Sequence, residues 1–158
     1  IREAARAVGP LAAVDSQGNL SRYQAFDLIK CNQAEAETAL GRSLHDEGEV
    51  ERACRELLET LQAQAIVVTR GAQGIAGLSR REGYVSLPAA NRTEVYDVVG
   101  AGDTVIAVLA LAAAAGLPFR AALHLANCAA GLVVRKLGNA TATPEELRWA
   151  IEHWGMEG

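Results

Sequence analysis

The stretch Asp97 to Thr104, D-V-V-G-A-G-D-T, has the residue types of a reaction centre. Its G-A-G-D core makes a tight turn whose backbone amides can converge, and the V-I-A-V-L-A-L that follows has the Ala and Leu content of a buried helix. The first turn of a helix leaves N–H groups unpaired and carries the positive end of the macrodipole, so a glycine-bounded start is a ready anion site. Gly100, Ala101 and Gly102 would form that cradle, the glycines letting the backbone come close. Asp103 would then sit where a phosphate is attacked, placed to accept a proton from a hydroxyl. The same string reads equally well as a plain helix start, with an acidic side chain meeting the dipole.

Other candidates lie upstream and downstream. Asn32 and Glu35, spaced N-x-x-E, have the geometry of a capping box. A helix start facing a crevice can also serve a hydrated Mg²⁺, whose waters a carboxylate such as Glu35 can bind. Thr69, Gly71 and Gly74 belong to T-R-G-A-Q-G, where glycines after a strand turn the chain. Arg70 is the basic residue to watch beside that turn; the other arginines are scattered and read as solvated surface. Asn127 interrupts an apolar helix, L-A-N-C-A-A-G, and needs a hydrogen-bond partner, such as a neighbouring helix, if it is buried.

The elements that must position these residues follow from periodicity. Residues 2–8 read as the end of a helix closed by Gly9 and Pro10, and residues 11–14 as a buried strand. Residues 27–31 form a second strand, 32–40 a helix stopped by Gly41, and 46–62 a long helix burying Val50, Ala53, Cys54, Leu57, Leu58 and Leu61. Residues 65–69, A-I-V-V-T, form a strand buried on both faces. Residues 75–79 and 84–87 flank a polar tip and predict a hairpin at a sheet edge. Helices over 103–115, 120–136 and 144–154 close the chain, the last capped by Thr143 ahead of a first-turn proline. Strand and helix alternate, which predicts an open α/β sheet, mostly parallel, with ligands at the carboxyl ends of its strands.

With 158 residues, half of them hydrophobic, the chain can bury a real core. A net charge of -4 and a pI near 5.4 argue against a nucleic-acid or anionic-membrane surface, so any phosphate must be held locally. Cys31, Cys54 and Cys128 are far apart and odd in number, as in a reducing cytoplasm, and neither they nor the three histidines have metal-ligand spacing. No apolar run is long enough for a membrane span. The chain begins with Ile1 and reads as a piece of something longer.

The G-A-G-D string closely resembles the D-T-x-G-A-G-D signature of the ribokinase-like, or PfkB, carbohydrate kinases, with Val98 where the family usually has Thr. N-x-x-E at Asn32 and Glu35 and T-x-G-x-x-G at Thr69, Gly71 and Gly74 resemble two further family motifs in the same order. The resemblance implies a ribokinase-like Rossmann-type three-layer sandwich with helices on both faces of the sheet. It implies ATP and Mg²⁺, Asp103 as catalytic base, Gly100, Ala101 and Gly102 as anion hole, and Glu35 acting on the metal through water. It also puts Asn32, Thr69, Gly71 and Gly74 beside the nucleotide and Asn127 near its adenine. Cys31 replaces the proline common before the motif Asn.

A finer resemblance, to the kinase domain of D-glycero-β-D-manno-heptose 7-phosphate kinases, rests on V-D-S-Q-G-N-L-S-R-Y, G-A-G-D-T-V-I-A-V-L-A and A-A-G-L-V-V-R-K-L-G-N-A-T-A-T-P-E-E-L. Ser16 and Gln17 stand where those proteins usually carry Pro and Lys. It implies residues 1–158 as the carboxyl-terminal, nucleotide-binding part of a kinase domain, without the amino-terminal sugar and lid half. A phosphorylated sugar would be the second substrate and a nucleotidyltransferase domain could follow. The missing half would leave an apolar surface that could drive self-association, and the piece alone would be a poor kinase. Another sugar or nucleoside kinase of the family, or a folded remnant without catalysis, are the rival readings.

Overall fold

A computed structural model of the chain describes residues 11–91, 100–138 and 140–154. The helix end expected over residues 2–10 and the Val98 departure lie outside the described residues. The chain forms two compact units, one running to Arg70 and including Ile75–Ser86, the other made of Gly71–Gly74 and the chain from Leu87 onward.

The first unit is built on a sheet of β1 (Ala13–Asp15), β2 (Leu28–Asn32), β3 (Ala65–Thr69), β4 (Ile75–Ser79) and β5 (Gly83–Leu87), in that spatial order. β1 pairs parallel with β2 and β2 with β3, while β4 returns antiparallel to β3. β1 starts later than expected because Ala12 is occupied before the ladder begins, its N–H donating to Asp27 Oδ2 at 2.8 Å. β3 is the buried centre, with Ala65, Ile66, Val67 and Val68 all enclosed, as its unbroken β-branched run predicts. β5 lies at the sheet edge, as expected of the hairpin.

Two helices pack on this sheet. α1 (Gln33–Leu40) is stopped by Gly41, which takes a left-handed φ of 66°. α2 (Glu47–Thr60) buries Val50, Ala53, Cys54, Leu57 and Leu58, the face its three- and four-residue spacing predicts. Arg80, on the hairpin tip, reaches the end of α2: it donates to Ala63 O at 2.8 Å and Leu58 O at 3.3 Å and pairs with Glu59 at 2.9 Å. A cation there meets the negative helix end.

The second unit holds α3 (Ala101–Ala114), α4 (Phe119–Val133) and α5 (Pro144–His153). α3 packs along α4 and α4 against α5, where Cys128, Leu132 and Ala150 form a small core under Leu147 and Trp154. Thr143 caps α5, its Oγ1 accepting from the Glu146 N–H, as expected from the sequence. Among the described residues, no helix is long and apolar enough to cross a membrane.

Candidate functional site

In the second unit α3 begins at Ala101, two residues before the start expected from the sequence. Gly100 is its N-cap with φ 80°, a left-handed conformation in which a side chain would be strained. Ala101, Gly102 and Asp103 therefore make up the first helical turn. α1, α2 and α5 all close their amino ends with a capping box, whereas α4, which starts after Pro118, and α3, which starts after Gly100, have no side-chain cap. Thr104 N–H makes the first helical bond, to Gly100 O at 3.0 Å, and Thr104 Oγ1 donates to the same carbonyl at 3.0 Å. Asp103 is exposed. The turn thus offers amides and a carboxylate to a ligand at the positive end of a 14-residue helix.

Gly71 and Gly74 also belong to the second unit, in the turn that joins β3 to β4. Gly74 has φ 99°, and a Cβ there would stand 2.1 Å from Leu87 O and 2.6 Å from Ala89 N. Only glycine fits that approach of backbone on backbone. Asn127 is buried in α4 and donates from Nδ2 to Pro88 O at 2.7 Å. Its observed partner is the backbone just after β5 rather than a neighbouring helix.

In the first unit the parallel register sets Asn32 beside Thr69 at the carboxyl ends of β2 and β3. Asn32 caps α1, its Oδ1 accepting from the Glu35 N–H at 2.8 Å. Glu35 Oε2 accepts from the Asn32 N–H at 2.8 Å, and Oε1 accepts from the Gly18 N–H at 2.9 Å. One carboxylate therefore ties the loop after β1 to the start of α1. Beside it lies an open cavity of about 580 Å³ lined by Gly18, Asn19, Asn32, Glu35 and Thr38. No group of three or more metal-ligating side chains occurs among the described residues. Glu35 fits Mg²⁺ only as a partner of metal-bound water, since each oxygen already takes an amide but keeps lone-pair capacity.

Two polar clusters escaped sequence reasoning. Lys30 and Asp15 are register partners on β1 and β2 and form a buried ion pair at 2.9 Å, with side chains 7% and 14% exposed. Residue Ser16 donates its N–H to Lys30 O at 2.8 Å, a bond that a proline there could not make. Arg70 pairs with Glu47 at 2.7 Å, and Tyr84 donates to the same carboxylate at 2.5 Å. The Arg70 side chain is almost wholly enclosed in this network. Alternation of K with apolar neighbours in L-I-K-C was the one available hint of an inward Lys30. The three cysteines are buried, and burial pushes the thiols of Cys54 and Cys128 up to about 12 and about 11, so they remain packed neutral groups.

Comparison with known proteins supplies what the geometry lacks. The sequence model described as pfkB family carbohydrate kinase matches residues 3–146. The Bifunctional protein HldE of Methylococcus capsulatus is 46% identical over 149 residues, which is 94% of this chain and 31% of that protein. The protein of the same name from Coxiella burnetii is 47% identical over 148 residues, 93% of this chain and 31% of that one. Phosphofructokinase-2 from Escherichia coli, solved in complex with substrates and products, superposes with a TM-score of 0.85 at 22% identity, covering 97% of this chain and 50% of that one. Arabidopsis thaliana ribokinase complexed with ribose and ATP gives 0.84 at 20%, covering 95% and 50%. These structural matches establish a ribokinase-like α/β fold. The chain spans about a third of the length of the curated relatives it matches.

Proposed function

Since the chain belongs to the pfkB family of carbohydrate kinases, we propose that it forms the carboxyl-terminal, nucleotide-binding part of a kinase that transfers the γ-phosphoryl group of ATP to a sugar hydroxyl. The observation that carries this reading is the first turn of α3, where Gly100 leaves the helix amides without a side-chain cap and Asp103 projects from the third position. In-line transfer asks for these two things at one place. The Gly100 to Asp103 backbone stabilises charge that develops on the transferring phosphoryl group, and Asp103 takes the proton as the sugar oxygen attacks phosphorus and ADP leaves. By their resemblance to the family motifs, Thr69, Gly71, Gly74 and Asn32 are assigned to nucleotide binding. Mg²⁺, held through water by Glu35, neutralises phosphate charge when bound.

The finer reading is transfer to O1 of D-glycero-β-D-manno-heptose 7-phosphate, within ADP-heptose synthesis for the lipopolysaccharide core. It is supported by the V-D-S-Q-G-N-L-S-R-Y and A-A-G-L-V-V-R-K-L-G-N-A-T strings and by identity above 40% to proteins named HldE. On this reading the remaining length of the relatives supplies the sugar and lid half and a nucleotidyltransferase domain, and the enzyme works in the cytoplasm.

Asp103→Asn in the full-length protein is expected to lower kcat at least about a thousandfold while ATP affinity changes less than about twofold. Turnover retained within a factor of ten would remove Asp103 from the chemistry. A panel of heptose 7-phosphate, fructose 6-phosphate and ribose decides the sugar.

A further inference from the structure

We infer that Asn127 is a positioning residue: through the carbonyl of Pro88 it fixes the backbone on which the turn Gly71–Gly74 rests, and it does not read the nucleotide base. The inference builds on the kinase reading above, because it assigns that turn to the nucleotide.

Three observations carry it. Asn127 is 8% exposed, and its Nδ2 is committed to Pro88 O by a short bond of 2.7 Å. A proline has no N–H, so its carbonyl is the only backbone handle that residue 88 offers to a side chain. Gly74 meets the same segment with no intervening side chain: a Cβ at Gly74 would overlap Leu87 O at 2.1 Å and Pro88 C at 2.6 Å. A shift of a few tenths of an ångström in residues 87–89 is therefore passed directly to the turn.

The segment has a second fastening to α4 one helical turn beyond Asn127. Asn91 Nδ2 donates to Gly131 O at 3.4 Å, and a Cβ on Gly131 would meet Asn91 Cβ at 3.3 Å. Asn127 and Gly131, four residues apart, lie on one face of α4 and hold residues 88 and 91 along it. Of the two fastenings, the shorter and stronger is the one opposite Gly74. Losing it leaves Pro88 O without its donor and frees the support of the turn.

The test compares ligands with and without a base. Asn127→Ala in the full-length protein is titrated calorimetrically with Mg-ATP, Mg-GTP and Mg-bound inorganic triphosphate, alongside steady-state kinetics. Affinity for all three should fall by one common factor of about tenfold, and KM for ATP should rise while kcat and KM for the sugar stay fixed. Loss confined to ATP would show a contact to the base and overturn the inference. Unchanged affinity for all three, with only a lower Tm, would show a purely structural asparagine and overturn it as well. Should the Ala variant fail to fold, Asn127→Ser, which keeps a polar group too short for Pro88 O, takes its place with the same expectations. A wild-type protein that binds none of the three ligands would instead defeat the kinase reading itself.

Discussion

Glu47 shows how one residue joins three elements. It opens α2, accepts from Arg70 at the end of β3, and accepts from Tyr84 on β5. Burial by itself would raise its pKa, but hydrogen bonds from Ser86, Tyr84 and Arg70 outweigh that and hold the carboxyl below its ordinary 4.5. The folded state therefore binds this proton more weakly than the unfolded chain. The resulting stabilisation is present above about pH 4.5 and is lost as pH falls through the lower folded value. Glu47→Gln should accordingly flatten the fall of Tm between about pH 6 and about pH 3 relative to the wild type. Melting curves at steps across that range check this, and parallel pH profiles would refute it. The side chain is half exposed, so solvent screening keeps the effect modest. The same network turns Arg70 inward as a brace for the β3 end, where its place beside a glycine turn had suggested a basic group to watch.

At the level of elements, the strand ends and helix starts divide into two kinds. α1, α2 and α5 each close with a capping box, a device that stabilises a helix start by about 1 kcal/mol. α3 opens on Gly100 and α4 on Pro118, neither with a side-chain cap, and of the two only the α3 start carries a glycine-bounded turn with a carboxylate at its third position. Between β1 and β2, Lys30 and Asp15 form an enclosed ion pair across the register. Removing one partner leaves the other's charge in the sheet, so Lys30→Met should cost about 3 to 5 kcal/mol, whereas Lys30→Met combined with Asp15→Leu should recover most of that loss. Urea unfolding of the single and double variants decides it. A double variant as unstable as the single would mean that the pair's charges do not depend on each other.

For the molecule as a whole, the decisive fact is coverage. The matches cover 93–94% of this chain but only 31% of the two HldE proteins, and the chain covers about half of each solved kinase. Phosphoryl transfer needs both substrates held together in one geometry, a factor that can reach many powers of ten. The isolated chain is therefore expected to phosphorylate sugar at least about a hundredfold more slowly than the full-length protein, measured at equal concentration with saturating ATP. Equal rates would mean that the sugar contacts lie within these residues.

The sequence by itself determined most of the elements and the family. β3 is legible because a fully buried strand must be an unbroken β-branched run, and α2 because a half-buried helix must repeat its apolar residues every three or four. The motif residues are legible as a family pattern because their glycines and carboxylates stand at fixed local spacing. What tertiary structure decided is everything that depends on residues distant in the chain. The Asp15–Lys30 pair joins positions 15 residues apart, the Gly18 to Glu35 bond 17, and the bond from Asn127 to Pro88 39. No local pattern encodes such partners, because a buried polar side chain is satisfied by whichever group the fold brings within about 3 Å.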